Sequence, residues 1–127
     1  MSAAKVLRDV GLDFDYEPRE YPLLDSFRYE GTYFKMTPKG KTLLDKSNKI
    51  IQPIRYTPDF VCKKESWVIE TKGWNKSNPD FWIRWKLFLS HLIASRGDDL
   101  PMVFVCKNTK EVEEAAETIK KNLQNGV

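Results

Sequence analysis

The period of hydrophobic and polar positions changes several times along the chain. From Ser2 to Val10, Val6, Leu7 and Val10 fall on one side of a helix that Gly11 stops. That helix is barely two turns long and needs packing to persist. Phe14 and Tyr16, then Tyr21 and Leu23, indicate extended chain with alternate burial. Phe27 to Met36 alternates loosely through Tyr29, Tyr33 and Phe34, which predicts a strand with Gly31 as a break or bulge. Pro38-Lys39-Gly40-Lys41 is a turn signal, Leu43 to Asn48 has no clear period, and Lys49 to Pro53 resumes a strand. Residues 30–50 therefore read as an insertion or irregular hairpin leading to the central strands.

Those central strands are predicted over Arg55 to Lys63 and Ser66 to Lys72, turning at Lys63-Lys64-Glu65. After Gly73, Ser77 or Asn78 can cap a long helix, with Pro79 near its first position and Asp80 in its first turn. It runs to about Ser95 and ends at Gly97. Its stripe of Phe81, Trp85, Phe88 and Leu92, spaced 4, 3 and 4 with Leu89 beside them, makes Trp82 and Trp85 core residues. Leu100 to Cys106 is an almost unbroken apolar run, as in strands covered on both faces. Asn108 or Thr109 caps a last helix whose inner face is Val112, Ala115, Ala116, Ile119 and Leu123, with acids early and lysines late to match the dipole. The order of elements predicts one α/β domain over residues 1–127, a mixed central sheet flanked by helices.

With 127 residues, 41% hydrophobic and 31% charged, the chain has the size and make-up of one globular domain. No apolar run is long enough to span a membrane, and Met1 to Val10 does not read as a signal peptide. Cys62 and Cys106 both fall in predicted strands and read as reduced, buried thiols, which implies a cytoplasmic setting. The net charge of +3 says less than its distribution: residues 35–64 carry eight basic side chains against Asp45 and Asp59, whereas residues 1–34 carry four against seven acids. A polyanion would find that positive stretch, although a solvated lysine-rich hairpin has the same composition.

Candidate chemistry concentrates inside the central strands. Glu70 and Lys72 lie two apart and so share one face of a strand, with Trp67, Ile69 and Thr71 on the other. If the two strands pair antiparallel, Asp59 comes close to both. Two carboxylates at one point suit a hard divalent cation, which keeps water and phosphate oxygens as its remaining ligands and stabilises charge on a scissile phosphate. The lysine fits as a positioner of the attacking water. Other chemistries lack support: the single histidine, His91, projects to the outer side of the long helix, and there is no Gly-rich phosphate loop and no Cys/His zinc spacing.

Pro58-Asp59, a ten-residue gap, and Glu70-Thr71-Lys72 resemble the PD-(D/E)xK nuclease superfamily. Gly11-Leu-Asp-Phe-Asp-Tyr-Glu17, Tyr56-Thr-Pro-Asp-Phe60 and Thr71-Lys72-Gly73 are most similar to its small phage endonuclease I and Holliday-junction resolvase group. The resemblance covers the order of elements over residues 10–106 and is close around 56–73. It implies a restriction-endonuclease-like fold and endonucleolytic hydrolysis of DNA, branched DNA included. It implies Mg²⁺ or Mn²⁺ on Asp59, Glu70 and the Thr71 backbone carbonyl, with Lys72 catalytic and Lys86, from the long helix, supporting. Lys39, Lys41, Arg55, Lys63 and Lys76 are the candidate DNA contacts, residues 30–50 are either a DNA-contacting arm or a surface excursion, and Tyr33 and Phe34 either stack on bases or pack the hairpin. A resolvase of this kind is expected to be a homodimer, since it cuts two strands symmetrically. The family also places a glutamate about a dozen residues before the glycine matched by Gly11, ahead of Met1 here. Glu17, Glu20, Glu30 or a partner would have to replace it, and without a replacement the alternative is a catalytically weakened nucleic-acid-binding module.

Overall fold

The structure, a computed structural model, describes residues 2–72 and 79–124. Its first helix, α1 (Ala3–Asp9), starts where the Ser2 side chain accepts a hydrogen bond from the Lys5 N–H, and it ends before Gly11, whose φ of 81° a side chain would resist. Next come β1 (Phe14–Tyr16) and β2 (Tyr21–Leu24). The segment that follows holds β3 (Phe27–Arg28), β4 (Phe34–Met36), β5 (Leu43–Asp45) and β6 (Ile50–Ile51). The chain then forms β7 (Ile54–Tyr56), β8 (Phe60–Cys62), β9 (Trp67–Thr71), α2 (Pro79–Arg96), β10 (Met102–Cys106) and α3 (Thr109–Gln124).

These elements fall into two compact units, one from the stretches up to Tyr21 and from Tyr56 onward, the other from Pro22–Arg55. The first is an α/β domain. Its sheet has the order β1-β8-β9-β10, antiparallel from β1 through β9 and parallel between β9 and β10, with α2 as the connection between the parallel pair. Phe60 stands opposite Ile69 and Val61 opposite Val68. On one face, Phe60, Trp67, Ile69 and Cys106 pack with Val6 and Leu7 of α1 and Val112, Ala115, Ala116 and Ile119 of α3. Ile69 and Ile119 are wholly buried, each worth roughly 1.5–3 kcal/mol. On the opposite face lie the aromatic rings of α2, packed round Tyr56.

Several expectations need correcting. The strand expected over Arg55 to Lys63 is two strands, because Pro58 has no N–H for a ladder: β7 pairs with β2, and β8 with β9. The strand expected over Phe27 to Met36 is likewise divided into β3 and β4. The Met102–Cys106 strand is not covered on both faces, since it is the sheet edge and Met102 to Val105 are half-buried. Trp82 is 49% exposed, because Phe81, Trp85, Phe88 and Leu92 take the inner face and leave Trp82 beside Phe81, ring centroids 4.9 Å apart. His91 is half-buried rather than outside, its ring 6.2 Å from Tyr21. Of the two thiols, both free, Cys106 is buried and Cys62 only half-buried. The proposed caps Ser77 and Asn78 lie outside the described residues; the last helix is capped by Asn108, whose Oδ1 accepts the Glu111 N–H at 2.9 Å.

The second unit contains the 30–50 segment and most of the β2–β7 pair, and inside that pair lie two short antiparallel ladders, β4–β5 within β3–β6 along the sequence. The turn between β4 and β5 is closed by the Thr37 N–H donating to the Thr42 carbonyl at 2.9 Å, with Gly40 at φ 69°. No described residue of this unit is buried, and Phe27, Tyr29, Phe34 and Leu43 are exposed. Tyr33 is half-buried and meets the Tyr29 ring edge-on at 6.2 Å. Among the described residues of the chain, no helix is long and apolar enough to cross a membrane.

Candidate active site

Glu70 is the buried charged side chain among the described residues, 5% exposed in the middle of the sheet. Its neighbours Ile69 and Trp67 fill the core beneath α1 and α3, so strand alternation turns the Glu70 carboxylate toward α2. Burying a carboxylate is expensive unless it is paired and hydrogen-bonded. Here the Tyr56 hydroxyl donates a short hydrogen bond to Oε1, and the Lys72 ammonium stands 3.2 Å from Oε2. Burial still outweighs these partners: it raises the Glu70 pKa above the ordinary glutamate value, Asp59 adding to the rise while Tyr56 and Lys72 oppose it. The phenol of Tyr56 is raised strongly by its own burial first and by the Glu70 carboxylate second, so it stays a hydrogen-bond donor at any working pH.

Lys72 leaves the end of β9 on the Glu70 face, as their spacing predicts. Its side chain is 28% exposed, and its ammonium lies 4.0 Å from the centre of the Phe81 ring of α2, a cation–π contact that supplements the ion pair. Asp59 arrives differently. At the start of β8, just past Pro58, its Oδ2 accepts both the Thr71 N–H (2.9 Å) and the Thr71 hydroxyl (2.7 Å). This clamps the Asp59 carboxylate to the end of β9, within electrostatic reach of Glu70. Asp59, Glu70, Thr71 and Lys72 are therefore brought together, while Asp59 meets Thr71 rather than Lys72.

A cavity of about 250 Å³ adjoins this group, lined by Thr71, Lys72, Cys106, Lys107, Asn108 and Thr109 among others. It lies where β9 and β10 end and α3 begins.

The remaining candidates are dispersed. Lys86 is exposed on α2 and makes no hydrogen bond or ion pair among the described residues. It follows Trp85 by one residue and so leaves the inner face; the α2 side chain that does meet Lys72 is Phe81. Lys39, Lys41 and Arg55 are exposed in the Pro22–Arg55 unit. Lys63 is exposed and pairs with Asp13 at 3.3 Å. Lys76 lies outside the described residues. Of the acids considered as replacements, Glu17 has its backbone N–H 2.7 Å from the Asp59 carbonyl, but its exposed side chain engages the Tyr16 hydroxyl. Glu20 is exposed, and Glu30 is exposed in the second unit. Among the described residues, no three His, Cys, Asp or Glu side chains gather as a metal-binding group.

Two partners of the site escape a reading of motifs alone. Tyr56 belongs to the Tyr-Thr-Pro-Asp-Phe string, yet only the fold reveals its hydroxyl on Glu70. Phe81 has the spacing of pure core, and nothing in that spacing marks the ring that lies under Lys72. Searches against protein-family models, curated proteins and solved structures give no match to this chain.

Proposed function

We propose that this protein is a divalent-metal-dependent endonuclease of the PD-(D/E)xK kind that hydrolyses DNA phosphodiester bonds, with branched DNA as its preferred substrate. The observation that carries the reading is the buried Glu70 carboxylate held between Tyr56 and Lys72, beside an Asp59 fixed to the end of the same strand. A sheet that serves only as scaffold gains little from an ionisable group at its centre. The donor set fits Mg²⁺ or Mn²⁺: Glu70 and Asp59 offer hard oxygens, and Oδ1 of Asp59 carries no hydrogen bond among the described residues. Asp59, Glu70 and the Thr71 carbonyl would hold the ion. When bound, it supplies positive charge against the scissile phosphate.

The chain's own groups divide the remaining work. The Thr71 N–H and hydroxyl keep Asp59 from rotating, and Tyr56 does the same for Glu70. Lys72, already charge-paired at the rim, orients the attacking water and faces the phosphate once its hold on Glu70 is released. Lys39, Lys41, Arg55, Lys63 and Lys76 contact the DNA backbone, and a homodimer in the cytoplasm would present two such sites to two strands. One observation favours a second reading, a nuclease-like module that binds nucleic acid without cutting: both oxygens of Glu70 already have internal partners, and no third acid among the described residues joins the two.

Cleavage assays on four-way-junction, flapped, duplex and single-stranded DNA, with Mg²⁺, Mn²⁺ or EDTA, separate the two. Cutting should require metal, favour the junction, and fall by roughly 10²–10⁴-fold in Asp59→Asn and in Lys72→Ala. Folded protein that binds these DNAs but cuts none of them with either metal would establish the second reading instead.

A further inference from the structure

We infer that Tyr56 is a positioning residue of the metal site, acting through Glu70. The inference rests on the nuclease reading above and extends it to a residue outside the Asp59, Glu70 and Lys72 set. Three observations carry it. The Tyr56 hydroxyl donates to Oε1 of a carboxylate that is 5% exposed, so no water competes for that lone pair. The Tyr56 ring, itself buried, is wedged among Phe81, Trp85 and Phe88 at centroid distances of 6.4, 6.0 and 5.0 Å, so the hydroxyl has a fixed address. Oε2, the oxygen that Tyr56 leaves alone, is the one that meets the partly exposed Lys72 ammonium.

The geometry thus gives Glu70 two unlike oxygens. Oε1 is spent on the protein interior. Oε2 faces the rim, where a positive charge already stands. With Oε1 held by Tyr56, Oε2 is the oxygen through which Glu70 would meet a cation, in place of Lys72. Lys72 faces that oxygen, and the Phe81 ring gives the ammonium a second contact that it would keep if a cation were held there. Groups that orient a metal ligand from behind typically contribute 10–100-fold to metal affinity.

Tyr56→Phe removes the hydroxyl and keeps the ring. Mn²⁺ is titrated calorimetrically into DNA-free wild type and Y56F, and DNA affinity is measured separately in EDTA. The expected result is a 10–100-fold weaker Mn²⁺ affinity, a matching rise in the Mn²⁺ concentration that half-saturates cleavage, and unchanged DNA affinity. Equal Mn²⁺ affinities in wild type and Y56F would overturn the inference while leaving the nuclease reading intact. Wild type that takes up no Mn²⁺ would remove both. If Y56F melts without cooperativity, Tyr56→Phe with Glu70→Gln is melted beside it, since the double variant leaves no buried carboxylate without its donor. Recovered stability would place the action of Tyr56 on Glu70, and no recovery would overturn it.

Discussion

At the scale of single residues, Glu70 shows the cost of the site most directly. Its pKa is raised, so the folded protein holds the Glu70 proton more tightly than the unfolded chain does. The contribution to stability is therefore fully present below the unfolded value and is lost as pH rises through the raised folded value. Glu70→Gln removes that loss. In EDTA, melting temperatures followed from pH 4 to 8 should move in favour of Glu70→Gln relative to wild type as pH rises, and a constant difference across the range would refute the sign. Added Mn²⁺ should shift the difference back toward wild type at neutral pH, because the ion gains the Glu70 carboxylate in wild type alone. The shared face of Glu70 and Lys72 could be read directly from the two-residue period. The hold of Thr71 on Asp59 could not, because it depends on where β8 begins, and that is set by the chain's path past Pro58 rather than by any spacing.

Elements were legible where one period ran for several turns. The stripe Phe81, Trp85, Phe88 and Leu92 is buried as its spacing requires, and the inner face of α3 is buried through Ile119. Short strands were not, because two or three residues carry too few alternations to mark their ends; β3, β6 and β7 are of that kind. The unbroken apolar run of β10 misled for another reason: parallel strands look alike in sequence whether they are central or at the edge. Caps were partly legible, and α3 offers a test. Asn108 accepts the Glu111 N–H while Glu111 Oε1 accepts the Lys107 N–H at 2.8 Å, so each end of the pair restrains the other. Asn108→Ala should cost about 1 kcal/mol, lowering the melting temperature by about 3–5 °C, without touching Asp59 or Glu70. A melt indistinguishable from wild type would mean that the cap holds nothing.

For the whole molecule, the mixed sheet and its helices followed from the order of periods, whereas the separate compactness of Pro22–Arg55 did not. That unit buries none of its described residues, so it leaves no hydrophobic rhythm to read. Its composition is more informative than its pattern. Lys39 and Lys41 flank the Gly40 turn, exposed, in the most basic part of the chain. If they touch phosphates, Lys39→Ala with Lys41→Ala should flatten the slope of log affinity against log salt by about 0.9 for each phosphate no longer neutralised, measured in EDTA on duplex DNA. An unchanged slope would take this turn out of the DNA-binding surface. The α/β unit meanwhile joins the two ends of the sequence: α1 packs against α3, and the Lys120 ammonium donates to the Val10 carbonyl at 2.8 Å across a separation of 110 residues. On a ribosome adding about 5–20 residues per second, that bond has to wait on the order of ten seconds after Val10 is made. During that interval the ladders of Pro22–Arg55 have every partner strand they need, while Val6 and Leu7 still lack the part of their core that α3 brings. The later segment thus completes the earlier one, and a nascent chain must keep α1 from other company until α3 arrives.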